Sequence, residues 1–344
     1  MKTAYVFAGQ GAQYPGMGRD LYEKYPEAKA VFDAAGDKIK QLCFEGTAEQ
    51  LKETENTQPC IYTMTMAAYE AFRAELKKAG LSDADAEPQA MAGFSLGEYS
   101  AMTAAGVITD IATGVELMEN RGRWMGEAGR DEAGNAAGTM AAAIGDKEKV
   151  LEIVEETRGG DILIAANFNA PTQTVVSGDI AAVERFTEKA KEAKLRVAPL
   201  AVGSAFHSPM MEPASEKMKK LITEKSAAIN TESAVPVYSN LTAAPLAEYR
   251  ADGSGAGDGA QTAADIADAM AKQLMSPVRW VEIVKRLIDS GVDTFIEFGP
   301  GKTLCGLVKK TDRKVRAYNV ENCETLESAI KSIIESIKEE AGAC

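Results

Sequence analysis

The sequence predicts an α/β protein with a largely parallel sheet, into which a smaller ferredoxin-like unit is inserted. Two observations carry this prediction. Short apolar runs flanked by glycine alternate with longer stretches of helical periodicity over most of the 344 residues, a pattern typical of parallel α/β sheets. Between residues 138 and 200 the order of elements changes to β-α-β-β-α-β, which is the order of the ferredoxin-like unit.

The first part of the chain is predicted to contain two strands and three helices. Its predicted elements are, in order, strand 3–9, helix 57–80, strand 88–94, helix 97–106 and helix 113–129. The helix over 57–80 shows the clearest periodicity, because its apolar residues recur three or four positions apart. Pro59 is predicted in its first turn and Gly80 just after its end, the positions that these two residues favour.

The inserted unit and the return to the large domain follow. The unit is predicted as strand 138–145, helix 146–160, strands 161–169 and 173–178, helix 179–193 and strand 194–200. The chain then continues with a helix over 207–224 and strands over 235–240 and 294–301. We therefore predict a large domain of residues 1–130 and 203–344 and a small subdomain of residues 131–202.

Composition excludes several classes of protein. The formal charge is −13, from 38 basic and 51 acidic residues, whereas a nucleic-acid-binding protein normally presents a basic face. No apolar run approaches the roughly 20 residues that a membrane-spanning helix needs. The five cysteines are scattered and form no CxxC pair, so that neither a disulfide framework nor a zinc site is expected and a cytoplasmic location fits.

The stretch GFSLG places Ser95 between Gly93 and Gly97, where a predicted strand ends and a helix begins. A serine in this setting is typical of a nucleophile elbow, in which a sharp turn presents the hydroxyl beyond the end of the sheet. The pattern alone is weak. The alternative is a serine that caps the following helix, with glycines that serve the turn.

A serine nucleophile needs a base, and the chain contains a single histidine, His207. Small residues precede it and Pro209 follows closely, which indicates a loop. A lone histidine is more often a surface or core residue than a catalyst, so the hypothesis depends on Ser95. No acidic partner is evident from spacing; a backbone carbonyl or an amide side chain could orient the ring, giving a dyad instead of a triad.

With these residues in view, the chain resembles the malonyl-CoA:acyl carrier protein transacylase family over nearly its whole length. The stretches that carry the resemblance are FAGQGAQYPGMG (7–18), TQP (57–59), GFSLGEYSA (93–101), NRGRWM (120–125), ANFNAPTQTVVSG (166–178), SAFHSPMM (204–211), QLMSPVRW (273–280) and EFGPGKTL (297–304). The resemblance implies an α/β-hydrolase-like domain with a ferredoxin-like insertion. It also implies ping-pong transfer of a malonyl group from malonyl-CoA to the phosphopantetheine thiol of acyl carrier protein, in bacterial fatty acid synthesis. No metal or redox cofactor is implied, and a monomer is expected.

The resemblance also implies a role for each matching residue. Ser95 is the nucleophile and His207 its base, and the backbone N–H groups of Gln10 and Leu96 form the oxyanion hole. Arg121 clamps the malonyl carboxylate, for which a planar guanidinium is suited. Four amides have supporting roles: Gln58 and Gln173 line the acyl pocket, and Asn167 and Gln273 support His207.

Two phenylalanines beside these residues have separate implications. Many members of the family carry histidine immediately before the nucleophile, where this chain has Phe94; because the resemblance places the base at His207, activity is still expected. Phe206, just before His207, is predicted to crowd the space that the α-methyl branch of a methylmalonyl group needs. The alternative is that Phe206 belongs to the core.

The sequence leaves open where the carrier docks, and it also leaves three alternative functions. The basic stretches 309–316 and 191–196 are candidates for docking an acidic carrier protein, although each is equally typical of a solvated face. The alternatives are a serine esterase or thioesterase, a trans-acting acyltransferase for polyketide synthesis, and a homologue that only binds acyl-CoA.

Overall fold

A computed structural model describes residues 1–81, 87–233, 235–255 and 259–342. In these ranges the strands are β1 (Thr3–Phe7), β2 (Ala90–Gly93), β3 (Gly138–Ile144), β4 (Leu163–Ala170), β5 (Gln173–Asp179), β6 (Arg196–Pro199), β7 (Val237–Tyr238), β8 (Thr294–Phe298) and β9 (Arg316–Val320). The α-helices are α1 (Arg19–Lys24), α2 (Pro26–Ala35), α3 (Asp37–Glu45), α4 (Thr54–Lys78), α5 (Gly97–Ala104), α6 (Ile111–Ala128), α7 (Lys147–Arg158), α8 (Ile180–Glu192), α9 (Glu212–Glu224), α10 (Ala263–Gln273), α11 (Trp280–Asp289), α12 (Thr303–Thr311) and α13 (Cys323–Gly342).

The large sheet has the order β7-β2-β1-β8-β9, and all of its pairs are parallel. Its central strand β1 is buried on both faces, as expected for a sheet covered by helices on both sides. Successive residues alternate between two cores: Tyr5 and Phe7 contribute to one, and Ala4 and Val6 to the other. The predicted parallel α/β sheet is thus confirmed.

The small sheet has the order β4-β5-β3-β6, with antiparallel pairs throughout. This order and the two helices α7 and α8 confirm the predicted β-α-β-β-α-β unit. Side chains from one face of the sheet form a core with α7 and α8, and side chains of the other face, including Met140 and Val175, pack against Phe206. Two backbone hydrogen bonds join β4 to Val278 of the large domain. The exact limits of the small subdomain, 131–202, stay a prediction.

Two helices begin three or more residues from their predicted starts. Helix α4 begins at Thr54, so that Pro59 is its sixth residue and not in its first turn. A proline donates no N–H to the carbonyl four residues earlier, which here belongs to Glu55, an exposed residue. The helix predicted from 207 begins only at Glu212 as α9, and His207 before it has a φ of 58°, which no helix accommodates.

Three further observations concern the described residues. None of their helices is both long and apolar enough to cross a membrane. No group of His, Cys, Asp and Glu side chains among them could hold a metal ion. Four cysteines are free thiols, and Cys344 lies outside the described residues.

Candidate active site

Ser95 lies in the sharp turn between β2 and α5, with a φ of 54°. The glycines on either side are required by packing. A Cβ on Gly93 would lie 1.9 Å from the carbonyl of Gly97, and a Cβ on Gly97 would lie 2.2 Å from the carbonyl oxygen of Phe7 on β1. The turn can therefore form only with glycine at both positions, and it presents Ser95 to a cavity at the end of the sheet.

The hydroxyl of Ser95 meets the imidazole of His207, although the two residues are 112 positions apart. The distance from Ser95 Oγ to His207 Nε2 is 2.8 Å, and His207 Nδ1 lies 3.0 Å from the backbone oxygen of Gln273. A carbonyl oxygen can only accept, so Nδ1 carries the proton and the lone pair of Nε2 faces the hydroxyl. Ser95 thus donates to Nε2. A backbone carbonyl orients the ring, one of the two arrangements expected from the sequence.

The environment of His207 keeps its ring neutral. Burial, together with the positive charge of Arg121, lowers the pKa of His207 from its ordinary value to about 4. At neutral pH the imidazole is therefore unprotonated and able to accept the serine proton.

Arg121 is buried on α6, and its guanidinium faces neutral acceptors. Nη1 donates to Gln58 Oε1 at 2.7 Å, and Nη2 donates to Gln273 Oε1 at 3.0 Å and to Ser95 Oγ at 3.2 Å. No carboxylate of the described residues forms an ion pair with it. A buried cation with no carboxylate in direct contact is costly, and it is suited to pair with an anionic group of a ligand.

The backbone N–H groups of Gln10 and Leu96 are free for an oxyanion. Both residues line the cavity beside Ser95. Within the described part of the chain, neither N–H donates a hydrogen bond. The Gln10 side chain accepts from Thr54 at 3.1 Å, which fixes the loop that follows β1. Two unpaired N–H groups beside a nucleophile are the arrangement that stabilises a tetrahedral intermediate.

The cavity has a volume of about 540 Å³ and runs between the large domain and the small sheet. Phe206 lines it, and so does Gln173, which accepts a hydrogen bond from Lys310 of α12 at 2.9 Å. Asn167 also lines the cavity, but its side chain makes no hydrogen bond to His207 in the described structure. Support of His207 by Asn167 therefore stays a prediction.

Phe94, where the resemblance led us to expect histidine, packs beneath the elbow. Its ring meets that of Trp280 edge to face, with centroids 5.6 Å apart, and it joins the core on that side of the sheet. A Cβ on Gly9 would lie 2.9 Å from the Phe94 ring, so this space is filled. Phe94 contributes packing, while the contact to Ser95 Oγ comes from His207.

Sequence reasoning missed two polar residues at the elbow. Asn240 Oδ1 accepts from the backbone N–H of Ser95 at 2.7 Å, and its Nδ2 donates to the carbonyl of Gly93 at 2.7 Å. Glu98 is fully buried and accepts from the Asn240 backbone and from Gln273 Nε2. A signal for Glu98 was present, since it is the one charged residue in the helix that follows the GFSLG motif.

Burial raises the pKa of Glu98 to about 7, against the opposing effect of hydrogen bonds from Gln273 and Asn240 and of the Arg121 charge. These donors and this cation favour the ionised carboxylate. The contacts of Glu98 therefore determine whether its buried carboxyl group is ionised.

Comparison with known proteins gives one consistent result. The model of the acyl transferase domain family matches residues 4–335. The chain is 40% identical over 341 residues to a malonyl CoA-acyl carrier protein transacylase from Bacillus subtilis, covering 97% of this chain and 98% of that protein. A crystal structure of such a transacylase from Clostridium perfringens is 35% identical, with a TM-score of 0.85 over 99% of this chain and all of that one. A malonyl-transacylase solved in complex with a type II PKS acyl-carrier protein is 33% identical, with a TM-score of 0.81 over 96% of this chain and all of that one.

Proposed function

The chain belongs to the acyl transferase domain family, and we propose that it transfers a malonyl group from malonyl-CoA to the phosphopantetheine thiol of acyl carrier protein. The observation that carries the proposal is the coincidence of two features in one cavity. A serine hydroxyl donates to a neutral histidine, and a buried arginine that forms no ion pair within the described residues lies 3.2 Å from the same hydroxyl. The first feature suits acyl transfer through a serine ester, and the second suits an acyl group that carries a carboxylate.

In the first half-reaction, Ser95 Oγ attacks the thioester carbonyl while its proton moves to His207 Nε2. The tetrahedral oxyanion accepts hydrogen bonds from the N–H groups of Gln10 and Leu96. As the intermediate collapses, the C–S bond breaks and the imidazolium returns the proton to the CoA sulfur. A malonyl ester on Ser95 remains, and CoA leaves.

In the second half-reaction, the thiol of the carrier's phosphopantetheine gives its proton to His207, and its sulfur attacks the ester carbonyl. The C–O bond breaks, and Ser95 recovers the proton from the imidazolium. The same base, oxyanion hole and cavity serve both halves, which is the basis of a ping-pong mechanism. No step calls for a metal or redox cofactor.

Arg121 provides selectivity for a carboxylated acyl group. Gln58 and Gln273 hold its guanidinium beside Ser95, and both are neutral, so neither competes as an anion with the malonyl carboxylate. A plain esterase would be expected to have an apolar acyl pocket at this position. The buried cation therefore favours the transacylase over an esterase or thioesterase, and the preserved serine–histidine contact disfavours a homologue that only binds.

The carrier is proposed to dock near Lys309 and Lys310 at the end of α12. Lys310 reaches Gln173 at the cavity, whereas the ammonium of Lys309 bonds to the carbonyl of Val315. The other basic stretch that the sequence offers for docking, 191–196, lies at the end of α8 and the start of β6.

We propose a monomer, a cytoplasmic location and a carrier of fatty acid synthesis. The related complex with a type II PKS carrier keeps a polyketide carrier as the second candidate.

The test is transfer to two purified holo carrier proteins, one of fatty acid synthesis and one of type II polyketide synthesis, followed by mass spectrometry. We expect a single malonyl group on the phosphopantetheine arm, formed faster with the fatty-acid carrier, and no transfer by Ser95→Ala. Release of free malonate faster than transfer to either carrier would contradict the proposal and favour a hydrolase.

A further inference from the structure

Two buried amides hold the main chain of Ser95 from both ends. Asn240 Oδ1 accepts from the Ser95 N–H at 2.7 Å, and Gln273 Nε2 donates to the Ser95 carbonyl at 2.9 Å. Ser95 has a φ of 54°, in the left-handed region that non-glycine residues rarely adopt. Such a conformation persists only where its surroundings over-determine it.

Glu98 contacts both Asn240 and Gln273. Its Oε2 accepts from the backbone N–H of Asn240 at 3.0 Å and from Gln273 Nε2 at 2.8 Å, and the residue has no exposed surface. One carboxylate oxygen thus joins the main chain of Asn240 to the side chain of Gln273, the two residues whose amides hold Ser95. An ionised carboxylate only accepts, so it is suited to bind two donors at once.

The carboxylate also fixes the orientation of the Gln273 amide. Its two Nε2 protons go to Ser95 O and to Glu98, so its Oε1 must face Arg121, where it accepts at 3.0 Å. The backbone oxygen of the same Gln273 orients His207. Through this one residue, Glu98 is connected to the nucleophile, the base and the arginine.

We propose that Glu98 is a positioning residue that holds the strained elbow of Ser95 through Asn240 and Gln273. The inference rests on the proposed function, because it concerns the reactivity of the same serine. It differs from the role of Arg121 in a measurable way. Loss of an acyl clamp slows only donors that carry a carboxylate, whereas displacement of the elbow slows every reagent that Ser95 attacks.

The experiment compares two reagents on Glu98→Gln. One is malonyl-CoA; the other is phenylmethylsulfonyl fluoride, which has no carboxylate. With the fluoride, Ser95 Oγ forms a bond to sulfur, fluoride leaves, and His207 takes the proton. Since a displacement of about 1 Å can cost a hundredfold in rate, we expect both reactions to slow by roughly ten- to a hundredfold, and by factors that agree within about twofold.

Asp268→Asn is the matched control. Asp268 is a buried acid on α10, the helix that carries Gln273, and it pairs with Lys219 at 2.6 Å and Lys272 at 2.8 Å. Its replacement should destabilise the same helix and leave the reactivity of Ser95 per folded molecule close to that of the unchanged protein. If Glu98→Gln does not fold, Glu98→Asp keeps the charge but withdraws it from the Asn240 backbone N–H and from the Gln273 side chain, and should slow both reagents equally.

Three results would overturn the inference. They are wild-type rates with both reagents in a folded Glu98 variant, slowing with malonyl-CoA alone, or equal slowing in Asp268→Asn. Failure of the proposed function is distinguishable, because in that case the unchanged protein would react with the sulfonyl fluoride at Ser95 and not with malonyl-CoA.

Discussion

The two walls of the cavity are built differently. On the large domain, Ser95, His207 and Arg121 are each fixed by hydrogen bonds to buried partners. On the side of the small sheet, apolar side chains such as Met140 and Val175 line the cavity. Hydrogen bonds fix atoms to within tenths of an ångström, whereas apolar contacts mainly define a volume. We therefore expect the first wall to determine the reaction and the charge of the acyl group, and the second to determine the size of the group that fits.

The largest effect should come from His207 on the first wall. His207→Ala removes the acceptor of the serine proton and should slow malonylation of Ser95 about a thousandfold. Pre-steady-state mass spectrometry with malonyl-CoA measures the rate, and an unchanged melting temperature serves as the control. A rate within about tenfold of the original would mean that another group is the base.

Arg121 should affect one class of donor. Arg121→Ala removes two charge-assisted hydrogen bonds to the malonyl carboxylate, so the ratio of malonylation to acetylation should fall about a hundredfold. Arg123→Ala is the matched control, because Arg123 lies on the same helix but is exposed and bonds only to Asn120 among the described residues. An equal loss with malonyl-CoA and acetyl-CoA would show that Arg121 acts on the serine and not on the acyl group.

Phe206 tests the second wall. Its carbonyl accepts from Ser177 at 2.8 Å, so the backbone before His207 stays anchored when the side chain is shortened. Phe206→Ser should therefore raise the rate with methylmalonyl-CoA relative to malonyl-CoA by about tenfold, the effect of one methyl group. Unchanged selectivity would assign Phe206 to the core alone.

The smallest effect concerns pH. The pKa of Glu98 is about 7 and that of His207 about 4, and both groups act unprotonated, so malonylation should slow as the pH falls through each value. Arg121 and Tyr99 are the titratable groups whose charges act on Glu98. Between pH 8 and 6 we expect a loss of roughly three- to tenfold, which Glu98→Gln should lack. The same loss in that variant would assign it to another group.

The sequence sufficed for the parts of the site that follow from local pattern. Ser95 lies in a motif whose glycines have a steric reason, and His207 was found because no other histidine exists. The other strands of both sheets were also predicted from local pattern, whereas β9 was not predicted. The early start of α4 was not predicted because Pro59 was assigned to a first turn, whereas the helix continues through it.

The supports of Ser95 could not be predicted in the same way. Asn240 and Gln273 contact it across 145 and 178 residues, and each amide could equally serve a local turn or a helix end. The orienting group of His207 is a backbone carbonyl, which every residue possesses and no side-chain pattern marks. The role of Glu98 could be recognised only once the structure showed that its helix is buried.

The most direct measurement is the intact mass of the protein after brief incubation with malonyl-CoA, beside Ser95→Ala, followed by addition of holo acyl carrier protein. We expect one malonyl group on the unchanged protein, none on the variant, and its removal by the carrier. An unmodified protein that nevertheless malonylates the carrier, or an adduct that persists in Ser95→Ala, would contradict transfer through a Ser95 ester.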